Sequence, residues 1–374
     1  MRAPQQTWTL GELCAMRYGK APRPEDLVDQ GYPVFSGYRV VGYHKCYLYE
    51  HPEIVVVARG AGGCGDVKLS PPRSYITNLA IVLQLTSPHV DKQYLFYRLA
   101  RTTLRELRSG AAQPQIIIAD LQRYRVTLPA LPAQRAVAAV LAAYDDLIAN
   151  NARRIAVLGE IMQNLYREWF VRMRFPGHAQ AASIAAARGC LPASWTTAPF
   201  STLADFVNGL AFAPCHWGDS GKPIVKIAEL KHGVTEKTAR YDGHDIPSRY
   251  HIQTGDVLFS WSADLDVYLW AGGAALLNQH LFRVLPRAPY TRLFLFSALK
   301  HHMPEFRSRS QGTTMRHIKR SALTQVTLAL PPPELRAAFE AHAEPLAQAI
   351  VNLTAKNANL RRMRDLLLSR LVGA

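Results

Sequence analysis

The chain has 374 residues, 48% hydrophobic and 19% charged, and carries a formal charge of +16 at neutral pH. That length allows two or three domains of roughly 150 residues, and the composition excludes a disordered chain. No apolar run approaches the roughly 20 residues a membrane helix needs, and the start lacks the apolar core of a secretory signal, so a cytoplasmic location is expected. The cysteines (Cys14, Cys46, Cys64, Cys190, Cys215) form no C-x-x-C pair and read as reduced thiols. Such an excess of positive charge points to a polyanion, with nucleic acid the first choice.

In chain order, residues 1–130 read as a mixed α/β block dominated by short strands, at 54–58 and 80–83, with a helix at 94–107. Ser36, Tyr38 and Arg39 follow an early strand. Arg59 opens a glycine run in which Gly60, Gly62 and Gly65 satisfy G-x-G-x-x-G, with Lys68 beyond it. A dinucleotide site would need a helix after the glycines, whereas a strand-like run and Pro71-Pro72 follow. Two readings remain: a hairpin that lets backbone approach DNA, or an ordinary tight turn. Gln113-Pro-Gln115 forms a polar loop before the last strand.

Residues 131–176 read as one long helix and 177–192 as a linker. Residues 193–330 form a second block, with strands at 257–259 and 281–284 and a helix at 292–302; 331–374 is a second long helix. The second block's candidate groove-facing residues are Lys226, Lys231, His232, Ser260, Trp261, Ser262, Ser310, Gln311, Thr313, Thr314 and Arg316. Arg and Lys can pair with guanine edges or phosphates, and hydroxyl and amide groups with adenine or backbone. For each such residue, solvated surface is the competing reading.

The chain is written twice. Val126-Thr-Leu-Pro-Ala-Leu-Pro132 returns as Val326-Thr-Leu-Ala-Leu-Pro-Pro332, and in the helices Ile148, Asn150, Leu158 and Leu165 recur as Ile350, Asn352, Leu360 and Leu367. Upstream, Trp8-Thr9 echoes Trp195-Thr196, and Leu13 and Gly19 echo Leu203 and Gly209; Asn78 with Asn278 and Ile118 with Ile318 are looser matches. Net charge repeats as well, +6 in 1–130 and again in 179–330, which suggests one kind of partner for both blocks.

The first helix carries an a/d seam of Val137, Leu141, Tyr144, Ile148, Asn151, Ile155, Leu158, Met162, Leu165 and Trp169. The second carries Phe339, Ala343, Leu346, Ile350, Leu353, Asn357, Leu360, Leu367 and Leu371, with Arg364 in the remaining slot. Forty residues make a rod of about 60 Å, longer than one block can cover. Either each helix packs on its own block, or the two pair with each other. Antiparallel pairing about the seam centres sets Asn151 opposite Asn357, Ile155 opposite Leu353 and Trp169 opposite Phe339, with the blocks at opposite ends about a pseudo-two-fold axis. A buried Asn pair would hold that register.

Leu128-Pro-Ala-Leu-Pro-Ala-Gln-Arg135, Asp145-Asp-Leu-Ile-Ala-Asn-Asn151, Leu165-Tyr-Arg-Glu-Trp-Phe-Val171 and Arg174-Phe-Pro-Gly-His178 closely resemble the central region of type I restriction–modification specificity subunits. Leu330-Pro-Pro-Pro-Glu334 and Leu366-Leu-Leu-Ser-Arg-Leu371 resemble its repeat, although Leu335 stands where the first copy has Arg135. The resemblance implies an α+β fold of two target-recognition domains joined by an antiparallel helical coiled coil. It also implies a non-catalytic subunit that reads a bipartite site in double-stranded DNA. Two methylation subunits would dock on the helices and restriction subunits would join them. S-adenosylmethionine, magnesium and ATP would then belong to those partners.

Catalytic and metal motifs are absent from the sequence: there is no Asn-Pro-Pro-Tyr or Asp-Pro-Pro-Tyr and no phosphate-binding loop, and His301-His302 with Glu305 and Cys215-His216 lack further ligands. A free-standing two-module DNA binder and a nuclease with an unrecognised site stay open as rivals.

Overall fold

The structure is a computed structural model and describes residues 5–60, 63–102, 104–110, 113–177, 191–192, 194–312 and 316–372. The chain divides into two compact units: Met1–Leu147 with Arg361–Ala374, and Ile148–Leu360. Each unit thus takes a part of both long helices.

In the first unit, Cys14–Tyr18, Ala80–Leu85, Ile54–Val57 and Val67–Leu69 lie side by side in that order, all antiparallel. Ile54–Val57 is buried along its whole length, which is why it reads as an unbroken apolar run rather than an alternating one. A second sheet orders Leu27–Val28, Val40–His44, Tyr32–Phe35 and Tyr75–Ile76, its last pair parallel. Gln5–Thr9 pairs with Arg125–Pro129, so the block's two ends meet.

The second unit repeats this plan. Ala204–Asn208, Leu281–Pro286, Val257–Ser260 and Asp266–Leu269 form the antiparallel sheet. Arg240–Tyr241, Lys222–Val225, Ala275–Leu277 and His251–Ile252 form the mixed one, and Thr196–Pro199 pairs with Thr327–Leu330.

This common plan corrects several sequence echoes. The short helices Leu10–Leu13 and Phe200–Leu203 match, with Thr9 and Pro199 immediately before them, so Trp8 corresponds to Ala198 and not to Trp195. Trp195 precedes its strand and packs near Phe170 and Phe175. Asn278 corresponds to Thr77, one residue from Asn78: the Thr77 N–H donates to Phe35 O, as that of Asn278 does to Val225 O. Likewise Ile318 corresponds to Ile116, since their N–H groups donate to the matching Trp261 O and Ala58 O.

The first long helix runs Leu131–Tyr166 and closes in a π-helical turn, Arg167–Val171; the second runs Pro333–Leu371 with Pro345 on its exposed side. Within the second unit, Asn151 Nδ2 donates to Asn357 Oδ1 at 2.9 Å, and Asn357 Nδ2 donates to Ile148 O at 3.1 Å. Both amides are buried, as are Ile148 and Leu353, while Ile155, Leu158, Ile350 and Leu360 are half-buried. Trp169 lies edge-on to Phe339 with ring centroids 6.2 Å apart. These contacts set the two helices antiparallel. In the first unit Arg364 Nη1 donates to Asp145 Oδ1 at 2.6 Å, and the Tyr97 hydroxyl donates to the other Asp145 oxygen. Arg364 therefore holds its seam slot as an ion pair. Leu371 is exposed, and Val372 enters the core in its place.

No helix among the described residues is long and apolar enough to cross a membrane. Cys14 and Cys64 are buried, and burial pushes the Cys14 thiol up to about 12, whereas Cys46 and Cys215 are exposed. A disulfide reagent at neutral pH is expected to modify Cys46 and Cys215 at once and Cys14 only on unfolding. Mass mapping of the labelled peptides checks this.

Candidate nucleic-acid interface

Candidate residues of both units meet where the fully buried strand of each antiparallel sheet runs out into a loop, while Lys226 and His232 lie at the two ends of a separate short helix. In the first unit the Ala58 N–H donates to Leu79 O at 2.8 Å, and Ala58 O accepts from the Ile116 N–H at 2.9 Å. Arg59 then bridges Gln115, and Gln115 bridges Ser109. The Arg59 loop and the Gln113 loop are thereby laid side by side, with Arg59, Gly60, Gln113 and Gln115 all exposed.

Beyond the glycine run the chain enters a strand, Val67–Leu69, so no helix N-terminus follows it; Gly62 lies outside the described residues. Gly60 and Gly65 have φ of +117° and +87°, values that only glycine adopts without strain. Tyr38 covers this loop: a Cβ on Gly63 would sit 2.2 Å from Tyr38 Cε1. The turn that carries Tyr38 and Arg39 is closed by Ser36, whose buried Oγ donates to Arg39 O at 3.1 Å. Ser36 therefore shapes the turn, while Tyr38 and Arg39 are presented. Lys68 is exposed on the next strand.

In the second unit the Ile318 N–H donates to Trp261 O at 2.8 Å, Ser262 bridges His317 and Gln311 bridges His317. This bond and these two bridges repeat those of Ile116, Arg59 and Gln115 residue for residue. Ala263, in the place of Gly60, has φ of +58°. Ser260 and Ser262 are buried, and Ser260 Oγ donates to Ser262 O at 3.3 Å, so Ser260 serves the loop's own backbone. Trp261 is half-buried and its Nε1 donates to Asn208 Oδ1 at 3.0 Å. Gln311 and Arg316 are exposed; the half-buried Ser310 donates to Arg307 O; Thr313 and Thr314 lie outside the described residues.

Lys231 and His232 end the short helix Ile227–His232, an insertion whose first turn is closed by Glu229 accepting from the Lys226 N–H at 2.9 Å. Lys226 Nζ stacks 4.8 Å over the ring of the exposed Trp217. Lys231 Nζ is 2.9 Å from Asp264. Burial opposes it, yet the Lys231 ammonium and the Tyr268 hydroxyl together hold the Asp264 carboxyl below its ordinary range. Part of the Lys231 charge is therefore already answered within the loop.

Two arginines that the sequence reading passed over clamp these loops. Arg108 Nε donates to Cys64 O at 2.7 Å, and Arg307 donates to Leu265 O at 2.9 and 3.3 Å. Nothing in sequence distinguishes them from solvated arginines, because their partners are backbone carbonyls. Bonds from a charged donor contribute roughly 1.5–3 kcal/mol each. Arg307→Ala is expected to speed amide exchange across 261–267 about tenfold while the sheet stays protected. Unchanged exchange would mean that the loop holds its shape unaided.

Among the described residues one triplet, Asp242, His244 and Asp245, has ligand atoms close enough to share a cation; all three are exposed, and His244 Nδ1 lies 2.7 Å from Asp242. His302 pairs with Glu305, and His216 accepts the Ala213 N–H, so both act locally.

A family model described as the type I restriction modification DNA specificity domain matches residues 4–160 and 192–335. The chain is 25% identical over 142 residues to the EcoBI specificity subunit of Escherichia coli, which covers 37% of this chain and 29% of that protein. It is 20% identical over 378 residues to the MjaIX specificity subunit of Methanocaldococcus jannaschii, covering 93% of this chain and 84% of that one. The type I restriction–modification S subunit from M. genitalium superimposes with a TM-score of 0.65 at 16% identity, over 99% of this chain and 96% of that one. The match to the E. coli relative thus spans under a third of its length.

Proposed function

This chain belongs to the type I restriction–modification DNA specificity family, and we propose on that premise that it is the non-catalytic subunit that selects a bipartite DNA site. In this reading residues 1–130 and 193–330 are the two target-recognition domains, 131–176 and 331–374 are the spacer helices, and 177–192 links the halves. The observation that carries it is the repeated loop frame: one set of backbone bridges holds different exposed side chains in the two units. A shared scaffold with changed side chains is what two readers of different half-sites require.

The partners are double-stranded DNA, two methylation subunits and, in the full complex, restriction subunits. Exposed Val140, Leu147, Val157 and Ile161 on the first long helix favour docking there, since such aliphatic groups are at a disadvantage in water. S-adenosylmethionine, magnesium and ATP fall to the partners, and the complex works in the cytoplasm.

The deciding experiment is genome-wide modified-base sequencing with and without the gene. Loss of one interrupted, two-part motif supports the reading; a methylome that stays unchanged in a strain with active methylation subunits overturns it. Binding to that motif is also expected to weaken steeply with salt, by a slope near 0.9 per phosphate contacted on a log–log plot. A flat salt dependence in a filter-binding titration would exclude DNA as the polyanion.

A further inference from the structure

Around the loop frame each unit brings four backbone segments together. In the first unit Tyr18 pairs with Ile81, the Leu79 carbonyl accepts from Ala58, and Ile117 follows Ile116, the residue that bonds to Ala58 on its other side. Adjacent strands lie about 4.8 Å apart, so Tyr18, Leu79, Arg59 and Ile117 occupy one rim. Tyr18, Leu79 and Ile117 are 39%, 41% and 40% exposed.

The same places in the second unit carry other chemistry. Asn208 pairs with Phe282 as Tyr18 does with Ile81, His280 precedes Leu281 as Leu79 precedes Ala80, and Lys319 follows Ile318 as Ile117 follows Ile116. Asn208 and Lys319 are exposed and His280 is half-buried. One rim thus carries two aliphatic side chains and a phenol ring where the other carries an amide, an imidazole and an ammonium. In the second unit Asn208 accepts from Trp261 and His280 lies edge-on to its ring. Ala58 stands in the place of Trp261 in the first unit, where Tyr18, Leu79 and Ile117 remain exposed.

Resting on the proposed DNA-reading role, we infer that Tyr18, Leu79 and Ile117 read the first unit's half-site through apolar contact with a thymine 5-methyl group. In the major groove that methyl is the apolar mark of an A·T pair, and aliphatic or aromatic side chains are its natural partners. Lys319 and the half-buried His280 serve the other half-site through hydrogen bonds to base edges or phosphates, while the Asn208 amide is held by Trp261 and the Gly209 carbonyl. The two half-sites are therefore distinguished by how much each depends on thymine methyls.

The test uses the full chain with its methylation subunits. A triple variant with the second unit's residues (Tyr18→Asn, Leu79→His, Ile117→Lys) is compared with the original by modified-base sequencing. Only one half of the motif is expected to change, which assigns that half to the first unit. Deoxyuridine, which lacks the methyl, then replaces each thymine in turn in a duplex bearing the original motif. At one position at least in the assigned half, binding of the original chain should weaken about fourfold, the effect of losing one methyl-sized apolar contact. The second half should show no such loss.

Deoxyuridine without effect in the assigned half, or with equal effect in both halves, overturns the inference, as does a triple variant that leaves the motif unchanged. So does a triple variant that no longer assembles with methylation subunits while the original tolerates every deoxyuridine, because the rim would then be a protein-docking surface. Failure of the parent reading looks different: no two-part motif depends on the original chain at all.

Discussion

Asn357→Leu is expected to destabilise the unit Ile148–Leu360 by about 2–3 kcal/mol, while the double change Asn151→Leu with Asn357→Leu returns most of that loss. Asn151 and Asn357 are 1% and 2% exposed, and each supplies the other's partner. Removing one leaves a buried amide with no water to turn to, and that desolvation is the cost; removing both leaves leucines in an apolar seam. The double variant should keep stability and lose uniqueness, because aliphatic side chains tolerate a slipped register that a paired amide does not. Urea unfolding of the three chains measures the first effect. Equal losses in the single and double variants would show that the site needs the asparagine shape and not the pairing.

Gly209→Ala is expected to be as damaging or worse, at about 3 kcal/mol or more. The Gly209 N–H donates to Leu281 O at 3.0 Å, which draws the chain against the neighbouring turn. A Cβ there would lie 2.1 Å from Asn278 O and 2.6 Å from Leu277 O, both backbone atoms that cannot rotate aside. Gly19 meets Thr77 O and Ile76 O at 2.3 and 2.4 Å in the first unit, so the constraint belongs to the module and not to one copy. Gly159→Ala is the control: it lies within the first long helix with open space around its Cβ position. Alanine there should stabilise by about 1 kcal/mol through helix propensity. Thermal melts that moved the same way for both glycines would refute the close-approach argument.

Much of the architecture is legible without coordinates. The helical seam is a local, repeated signal, and a heptad pattern sustained over some forty residues leaves few ways to bury it. Internal repetition is legible for the same reason, because a proline-broken strand and the seam residues recur in order. The ladders, however, pair Trp8 with Val126 and Ala198 with Leu328, and so match Val126 to Leu328 and not to Val326. The antiparallel register needed only one further fact, the single asparagine in each seam: set opposite each other, Asn151 donates to Asn357 and Asn357 to the Ile148 carbonyl, so neither buried amide is left unpaired. The polar loops were also identifiable as loops from their Gly, Gln and Ser content.

What the sequence alone determined was therefore the periodic and repeated part: two like modules, two long helices and their antiparallel pairing. Tertiary structure decided the rest, because it depends on contacts between segments far apart in the chain. Loop lengths differ between the copies, so identity matching placed Trp8 against Trp195 and Asn78 against Asn278, while the hydrogen-bond frame pairs Trp8 with Ala198 and Thr77 with Asn278. The second helix packs on its block as well as on the first helix, which buries Ala347 and Val351 beside the expected seam and leaves Ile350 half-buried. Ser36 and Ser260 turn inward because a tight loop must satisfy its own backbone polar groups before it can offer any to a ligand. Which side chains remain outside, Arg59 and Gln115 in one frame, Gln311 and Arg316 in the other, follows from that folding and from no local pattern.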